Sequence, residues 1–225
     1  MPTLTTNSRS VLEVMADERV RAELVALVGM SWVHPEPLLT DAMTHVDSML
    51  LGRDEAGRLV GFMTWRLQRL TLSTGRTLAA VYAGLGAVDA AWQRQGLGKH
   101  VIYGGIEAGI AELARHPASD QTVVWTTTAS PIGYLGLAKR FTKGFNPRPD
   151  GGYDDAALPV LDSLKQVLGV LPQHHDPHPF VLRGFSQKRY ASTTHQALTE
   201  VTAPLFVSHR VDERNGDRLI LLFDA

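Results

Sequence analysis

Residues 86–99 read Gly-Ala-Val-Asp-Ala-Ala-Trp-Gln-Arg-Gln-Gly-Leu-Gly-Lys, and this stretch decides the fold. An apolar run from Thr77 to Val88 leads into it and predicts a buried strand. The helix that it opens is predicted from apolar residues at helical spacing, which are Leu97, Val101, Ile102, Ile106, Ile110 and Leu113. The stretch is therefore a turn from strand to helix, and its glycines let a ligand approach the backbone closely.

The sequence on either side of this turn extends the pattern. Upstream, residues 10–30 and 38–43 predict two helices, and residues 49–65 predict a β-hairpin around a polar turn that ends at Gly57. Downstream, Thr122 to Thr128 is rich in β-branched residues and predicts a strand, and residues 131–141 predict a short helix. The order α-α-β-β-β-α-β-α predicts an α/β fold with a mixed central sheet flanked by helices.

After Asn146 the pattern is weaker. Residues 146–180 are rich in Pro, Gly and Asp, although Leu158 to Leu171 can contain one helix. Residues 205–208 and 219–223 predict closing strands around an Asn-Gly turn at 215–216. We therefore expect one domain over residues 1–225, with a core at about 10–145, C-terminal strands at about 203–224 and an irregular insertion at about 146–200.

Composition excludes several classes of protein. The chain has 225 residues, with 22 Lys and Arg against 23 Asp and Glu, so the basic excess typical of nucleic-acid binding is lacking. The absence of cysteine excludes disulfides, thiolate catalysis and cysteine-ligated metals. No apolar run approaches the roughly 20 residues of a membrane span, and the N-terminus lacks the pattern of a signal peptide. We expect a soluble, cytoplasmic protein with no membrane partner.

The turn itself favours an anionic ligand. The first amides of a helix have no intrahelical acceptor, and the positive end of the helix dipole adds to their attraction for negative charge. Arg94 and Lys99 contribute further positive charge, so the turn predicts a site for a diphosphate. Neither the P-loop pattern nor the dinucleotide-binding pattern fits, because Asp89 stands where the latter requires glycine.

The spacing Gln93-x-x-Gly96-x-Gly98 after a strand resembles the acetyl-CoA-binding signature of the GNAT acyltransferases. The order of elements and the later Lys143-Gly144-Phe145 also resemble that family, over about residues 10–145 plus a C-terminal strand. The resemblance implies acetyl-CoA as co-substrate, with its pyrophosphate on the loop amides and its pantetheine on the strand backbone. The residues that it implies for cofactor binding are Ala87, Val88, Gln93, Arg94, Gln95, Gly96, Leu97, Gly98 and Lys99.

The same resemblance indicates candidate catalytic residues. Tyr82 occupies a strand position where the family commonly places a base or a residue that holds a water, and its phenol suits the second role at neutral pH. The usual proton donor to the thiolate, a tyrosine, is replaced here by Arg140. Tyr134 and Ser130 are candidate substitutes, although packing roles are an open alternative for all three candidates. Protonation by solvent, or stabilisation of the thiolate by Arg140, is a further alternative.

The resemblance implies an N-acyltransferase that moves an acetyl group from acetyl-CoA to a primary amine by direct attack in a ternary complex. The alternative is a weak or inactive GNAT-like module that binds coenzyme A or another protein. The acceptor is expected to be a small-molecule or protein amine, and the insertion is a candidate lid for it or a contact in a homodimer. His174, His175, Asp176 and His178 invite a metal, but the prolines at 177 and 179 oppose convergence of ligands, so no metal is expected.

Overall fold

The computed structural model describes residues 3–93, 98–115, 121–144, 147–148, 151–188 and 204–225. Contacts between Cα atoms divide the chain into two compact units. The first unit comprises Met1–Gln68 and Val81–Pro117, and the second comprises Arg69–Ala80 and Ala118–Ala225. The single-domain organisation expected from the sequence stays a prediction.

The strands form a seven-stranded mixed sheet in the order β1-β2-β3-β4-β5-β7-β6. They are β1 (Thr5–Ser10), β2 (Ser48–Arg53), β3 (Leu59–Thr71), β4 (Thr77–Val88), β5 (Thr122–Thr128), β6 (Val181–Leu182) and β7 (Arg218–Asp224). The pairs β1–β2, β2–β3, β5–β7 and β6–β7 are antiparallel. The predicted fold class, a mixed sheet flanked by helices, is confirmed.

Helices follow β1, β4, β5 and β6, whereas β2, β3 and β4 follow one another directly. They are α1 (Val11–Ala16), α2 (Glu18–Gly29), α3 (Pro35–Met43), α4 (Ala90–Gln93), α5 (Gly98–Ala114), α6 (Pro131–Arg140), α7 (Leu158–Val167) and α8 (Pro204–Ser208). Among the described residues, no helix is both long enough and apolar enough to cross a membrane.

Helix α5 packs on the sheet at very short range because it carries glycines on its inner face. A Cβ atom added to Gly105 would lie 2.6 Å from Cβ of Met63, and one added to Gly109 would lie 2.8 Å from Cγ1 of Val81. At the far end of the helix, Trp65 Nε1 donates a 3.0 Å hydrogen bond to Glu112 Oε2. These contacts fix the axis of α5, and with it the direction in which the helix begins.

Three details of the sequence prediction are corrected. The strand β1 was not predicted, because its residues are polar and largely exposed and therefore lack an apolar alternation. The helix predicted over 10–30 is divided at Asp17, whose side chain accepts a 3.2 Å hydrogen bond from the amide of Val20 and caps α2. The strand predicted at 205–208 is wrong, since those residues belong to α8 and bury Leu205 and Phe206 on a helical turn.

The insertion is tied to the end of the chain by one arginine. Arg183 donates from Nε to Asp176 Oδ2 at 2.6 Å and from Nη1 to Asp217 Oδ2 at 2.7 Å. The same guanidinium also donates to the backbone carbonyls of His209 and Arg210. Because these partners come from three separate stretches of sequence, Arg183 holds together a region that has little regular secondary structure. The helix predicted within 158–171 is confirmed as α7.

Candidate functional site

The turn between β4 and α4 is closed by Asp89. Its amide donates to the carbonyl of Val60 at 2.9 Å, which keeps the end of β4 paired with β3. Its carboxylate accepts from the amide of Ala91 at 2.9 Å, and its carbonyl accepts from the amides of Trp92 and Gln93. Asp89 is therefore the N-cap of α4 and fixes the point at which the chain leaves the sheet.

Gln93, the first residue of the signature, folds back on the strand. Its Nε2 donates a 2.7 Å hydrogen bond to the carbonyl of Val88. Val88 and Ala87 are both buried, and they face opposite sides of the sheet. This internal hydrogen bond occupies the Val88 carbonyl and holds the Gln93 side chain against the end of the strand. Binding of cofactor by Ala87, Val88 and Gln93 stays a prediction.

The start of α5 lies directly on the end of β4. A Cβ atom added to Gly98 would lie 3.0 Å from Cγ1 of Val88, so glycine permits a closer approach than almost any other residue could make. Lys99 is exposed beside it. Amides in the first turn of a helix lack intrahelical acceptors, so this position suits an anion. The signature residues Arg94, Gln95, Gly96 and Leu97 lie outside the described residues.

Strand β4 contains an irregularity midway along its length. Successive side chains of a strand normally point to opposite faces. Here Gly84 and Leu85 both face the layer of α1–α3, since a Cβ on Gly84 would lie 2.7 Å from Val46 and Leu85 belongs to the same core cluster. The hydroxyl of Thr64 donates to the carbonyl of Leu85 at 2.9 Å. This shift of one residue is typical of a β-bulge, which re-aims the backbone that follows.

Tyr82 lies on β4 in the first unit, where it packs against the core cluster that α1–α3 form with the sheet. Burial and, to a smaller extent, the negative charge of Asp41 on α3 raise the pKa of Tyr82 to about 12. The phenol therefore stays protonated at neutral pH and can donate a hydrogen bond but cannot act as a base. The role predicted for Tyr82, positioning of a water, agrees with this protonation state and stays a prediction.

Tyr134 lies on α6 in the second unit and is 4% exposed. Its hydroxyl donates a 3.2 Å hydrogen bond to the carbonyl of Pro147, and its ring packs edge-on against Phe206 with centroids 5.9 Å apart. Burial raises the pKa of Tyr134. The Tyr134 proton is hydrogen-bonded to a backbone carbonyl, and the raised pKa makes it harder to release. The hydroxyl therefore has a structural role that competes with the candidate role of Tyr134 as an acid.

Ser130 also has a structural role. Its Oγ accepts a 3.1 Å hydrogen bond from the amide of Gly133, so Ser130 is the N-cap of α6. Arg140 is exposed in the last turn of the same helix, with its guanidinium carbon 5.9 Å from the centroid of the Phe141 ring. Neither arrangement tests the predicted roles in protonation of the thiolate, which stay predictions.

Two residues of this region were missed by sequence reasoning. Thr64 was read only as part of a strand, yet its hydroxyl completes the irregularity in β4. Asp41 lies on α3, and its charge bears on Tyr82. Neither residue has a local signal, because each acts on a partner at least 21 positions away in sequence.

The histidine-rich segment at 174–178 does not gather ligands. Among the described residues, no group of three or more His, Cys, Asp or Glu side chains could hold a metal ion. His174 Nδ1 lies 2.7 Å from the carbonyl of Arg183, and the Asp176 carboxylate is bound by Arg183. These side chains serve to fix the local chain.

Comparison with known proteins gives likenesses to solved structures. The chain is similar to a GNAT family N-acetyltransferase from Escherichia coli solved in complex with CoA, with 21% identity, 60% of this chain and 68% of that chain covered, and a TM-score of 0.42. It is similar to an aminoglycoside antibiotic 6'-N-acetyltransferase from Acinetobacter baumannii, with 12% identity, 61% and 88% coverage, and a TM-score of 0.41. It is also similar to an IAA acetyltransferase from Bacillus cereus, with 11% identity, 65% and 83% coverage, and a TM-score of 0.41.

Solved GNAT acetyltransferases are thus among the structures that the chain is similar to. No protein-family model matches the chain, and no curated protein matches its sequence. At these identities and TM-scores, the likenesses carry nothing about what this chain binds or which reaction it performs.

Proposed function

We propose that this protein is an N-acyltransferase that moves an acetyl group from acetyl-CoA to a primary amine by direct attack in a ternary complex. The observation that carries the proposal is the junction of β4 and α5. There, Gln93 donates to Val88, and Gly98 lies on Val88 at the distance that only glycine allows comfortably. This junction coincides with the sequence pattern that resembles the acetyl-CoA signature.

The junction supports binding of a diphosphate for a physical reason. The axis of α5 is fixed by close packing at Gly105 and Gly109, so its first amides point in one direction and need no reorganisation when an anion binds. Lys99 adds a positive charge that is accessible to solvent. In this proposal, the pyrophosphate of acetyl-CoA accepts hydrogen bonds from those amides.

The chemistry needs a neutral amine, a donor to the oxyanion and a proton for the departing thiolate. The nitrogen lone pair attacks the thioester carbonyl, the C–S bond breaks, and the amine loses one proton while the sulfur gains one. Tyr82, with its pKa of about 12, supplies a hydrogen bond to a water that accepts the proton of the amine. Because Tyr134 and Ser130 have structural partners, we assign the proton of the thiolate to solvent.

The second candidate function is a GNAT-like module that binds coenzyme A and turns over slowly or not at all. It is favoured by the commitment of the Tyr134 hydroxyl to Pro147 and by the presence of arginine at position 140. Under this alternative, acetyl-CoA binds at the same junction without amine-dependent release of thiol.

The test is release of free thiol from acetyl-CoA across a panel of primary amines. Amine-dependent release supports the transferase, whereas binding of acetyl-CoA with no release above background for any amine supports the module. The informative variant is Tyr82→Phe, which removes the hydroxyl while it keeps the ring in the core. We expect kcat to fall about tenfold, which is within the range for loss of one positioned hydrogen bond.

The pH profile separates the roles of Tyr82. If the phenol positions a water, the acidic limb of the profile of kcat/KM keeps its midpoint in Tyr82→Phe, because the titrating group is the amine or another residue. A shift or loss of that limb would contradict the role. As a control, Tyr153→Phe removes a hydroxyl in the second unit and is expected to leave kcat unchanged.

A further inference from the structure

Two histidines of the second unit lie ring against ring and take no part in the proposed acyl transfer. The ring centroids of His178 and His209 are 4.1 Å apart, and the planes are inclined by 46°. His178 is 7% exposed. The rings of Tyr153 and Phe180 pack against it at centroid distances of 5.3 and 6.0 Å. His178 therefore packs against two aromatic rings as well as against His209.

The hydrogen bonds of His178 fix its tautomer. Nε2 lies 2.8 Å from the carbonyl of Gly151, and since a carbonyl only accepts, Nε2 carries the hydrogen of the neutral ring. Nδ1 is then bare. Within the described part of the chain, Nδ1 of His178 and Nε2 of His209 are buried and have no hydrogen-bond partner. A proton added to Nδ1 would create a buried N–H with no acceptor and a buried positive charge.

Gly151 joins the two rings. Its carbonyl accepts from His178, and its φ of +84° is a conformation that favours glycine. A Cβ atom added here would collide with Nε2 of His209, so that ring lies directly against the Gly151 backbone. The backbone at Gly151 thus contacts both imidazole rings.

Lys165 and Asp176, together with the His209 ring, act electrostatically on His178. Lys165 on α7 opposes a positive charge on His178, as does His209, whereas Asp176 favours it. The carboxylate of Asp176 is already shared between the His178 amide and Arg183. Burial is the largest cause, and the pKa of His178 lies below its ordinary value.

We propose that the His178–His209 pair is a pH-sensitive latch, in which the two rings hold the loop at 151–153 against residues 205–210 and protonation of His178 releases it. The direction of the pH effect follows from the lowered pKa of His178 in the folded protein. A histidine whose pKa is lowered in the folded state stabilises the closed form above its unfolded value of about 6.5, and the stabilisation is lost as the pH falls below that value. The latch is independent of the proposed acyl transfer.

The geometry favours a latch over a shared metal ion. Two imidazole nitrogens at about 2.0–2.1 Å from one tetrahedral ion would hold their ring centroids about 5 Å apart, which exceeds the separation here.

The test is hydrogen exchange of the full chain, followed by mass spectrometry at pH 7.5 and 5.5 and corrected for the intrinsic effect of pH. For uptake of one proton, the opening constant of peptides at 151–153 and 205–210 is expected to rise between these values by a factor of at most about ten. Peptides from α5 are expected to change less than twofold. Equal opening constants at both pH values in the loop would overturn the proposal.

Variants assign the effect to the pair. His178→Phe keeps a ring in place and removes the proton site, so the ratio of opening constants at the two pH values is expected to fall to about one. The control is His45→Phe, because His45 is 61% exposed in its side chain and the ratio should stay that of the unaltered chain. A ratio in His178→Phe that equals that of the unaltered chain contradicts the latch.

If His178→Phe does not fold, NMR spectroscopy of the unaltered chain tests the charge and tautomer of His178 directly. Nitrogen-15 NMR at pH 7.5 is expected to give a neutral His178 with the hydrogen on Nε2. A charged ring, or a hydrogen on Nδ1, would overturn the assignment. Addition of EDTA is expected to leave the melting temperature unchanged at both pH values, whereas a fall that Zn²⁺ reverses would replace the latch with a metal site.

Discussion

The junction of β4 and α5 and the region around Arg183 are positioned by different forces. At the junction and along α5, glycines let the helix backbone lie directly on side chains of the sheet, and apolar residues are buried there. Around Arg183, carboxylates and backbone carbonyls from distant stretches converge on one guanidinium. The stability of the first region should therefore be sensitive to changes in side-chain volume but not to changes in charge or pH. The stability of the second region should be sensitive both to loss of the Arg183 charge and to acid.

The largest effect is expected from removal of the Arg183 guanidinium. Arg183→Met leaves the Asp176 and Asp217 carboxylates partly buried without their cation, so the free energy of unfolding should fall by about 3 kcal/mol. Arg214→Met is the matched control, because Arg214 is 66% exposed in its pair with Asp212 and should cost less than about 1 kcal/mol. Urea unfolding measures both, and equal losses would remove the special role of Arg183.

A smaller loss is expected from one methyl group in α5. In Gly105→Ala, the new Cβ meets Cβ of Met63 at 2.6 Å, so overpacking outweighs the gain in helix propensity by about 1–2 kcal/mol. In Gly104→Ala, the new Cβ meets only Cδ2 of Leu50 at 3.2 Å, so the gain in helix propensity should leave stability unchanged or raise it by up to about 1 kcal/mol. If thermal unfolding ranks the two variants in the opposite order, the close packing of α5 is refuted.

Removal of a helix cap in either unit is expected to lower the free energy of unfolding by about 1 kcal/mol. Ser130 caps α6 and Ser10 caps α1 through equivalent hydrogen bonds to the amides three residues ahead. Ser130→Ala and Ser10→Ala should each lower the free energy of unfolding by about 1 kcal/mol. Both variants should keep the kcat of the intact chain. A selective fall of kcat in Ser130→Ala would instead support the catalytic role that the sequence suggested.

The smallest effect is expected from acid acting on Asp176. Burial raises the pKa of this carboxyl, but hydrogen bonds from the His178 amide and Arg183 outweigh burial, so its pKa is lowered. Its stabilisation is present above about pH 3.9 and is lost as the pH falls through the lowered pKa. Unfolding followed by circular dichroism should show this loss below pH 4, separate from the change that His178 causes below pH 6.5. Arg183→Met should move the lower step towards pH 4; an unchanged step would contradict the pairing.

The sequence predicted those parts of the fold whose side chains repeat with the period of the element. The apolar spacing of α5 and the β-branched run of β5 each identified their element, and Gly57 marked the hairpin turn. Strand β1 escaped because its polar residues face solvent on an edge strand. The strand prediction at 205–208 is wrong because a run of three apolar residues fits either structure, and only tertiary contacts decide between them.

The candidate site divides in the same way. The glycine spacing identified the junction because close approach of backbones depends on residue type at fixed positions. The cap at Asp89 is local, because its carboxylate binds the amide of Ala91 two residues ahead. The hydrogen bond of the Thr64 hydroxyl and the ion pairs of Arg183 could not be predicted, since their partners are brought near only by folding. The pairing of His178 with His209 across 31 positions has no local pattern at all.

Calorimetric titration with acetyl-CoA tests the central claim most directly, using the intact chain and two charge reversals at opposite ends of α5. Lys99→Glu places a negative charge in the first turn, and it should raise Kd about tenfold or more, which corresponds to about 1.4 kcal/mol. Arg115→Glu makes the same change in net charge beyond the other end of the helix and should change Kd less than twofold. Absence of binding at millimolar acetyl-CoA, or equal weakening by both reversals, would contradict the account.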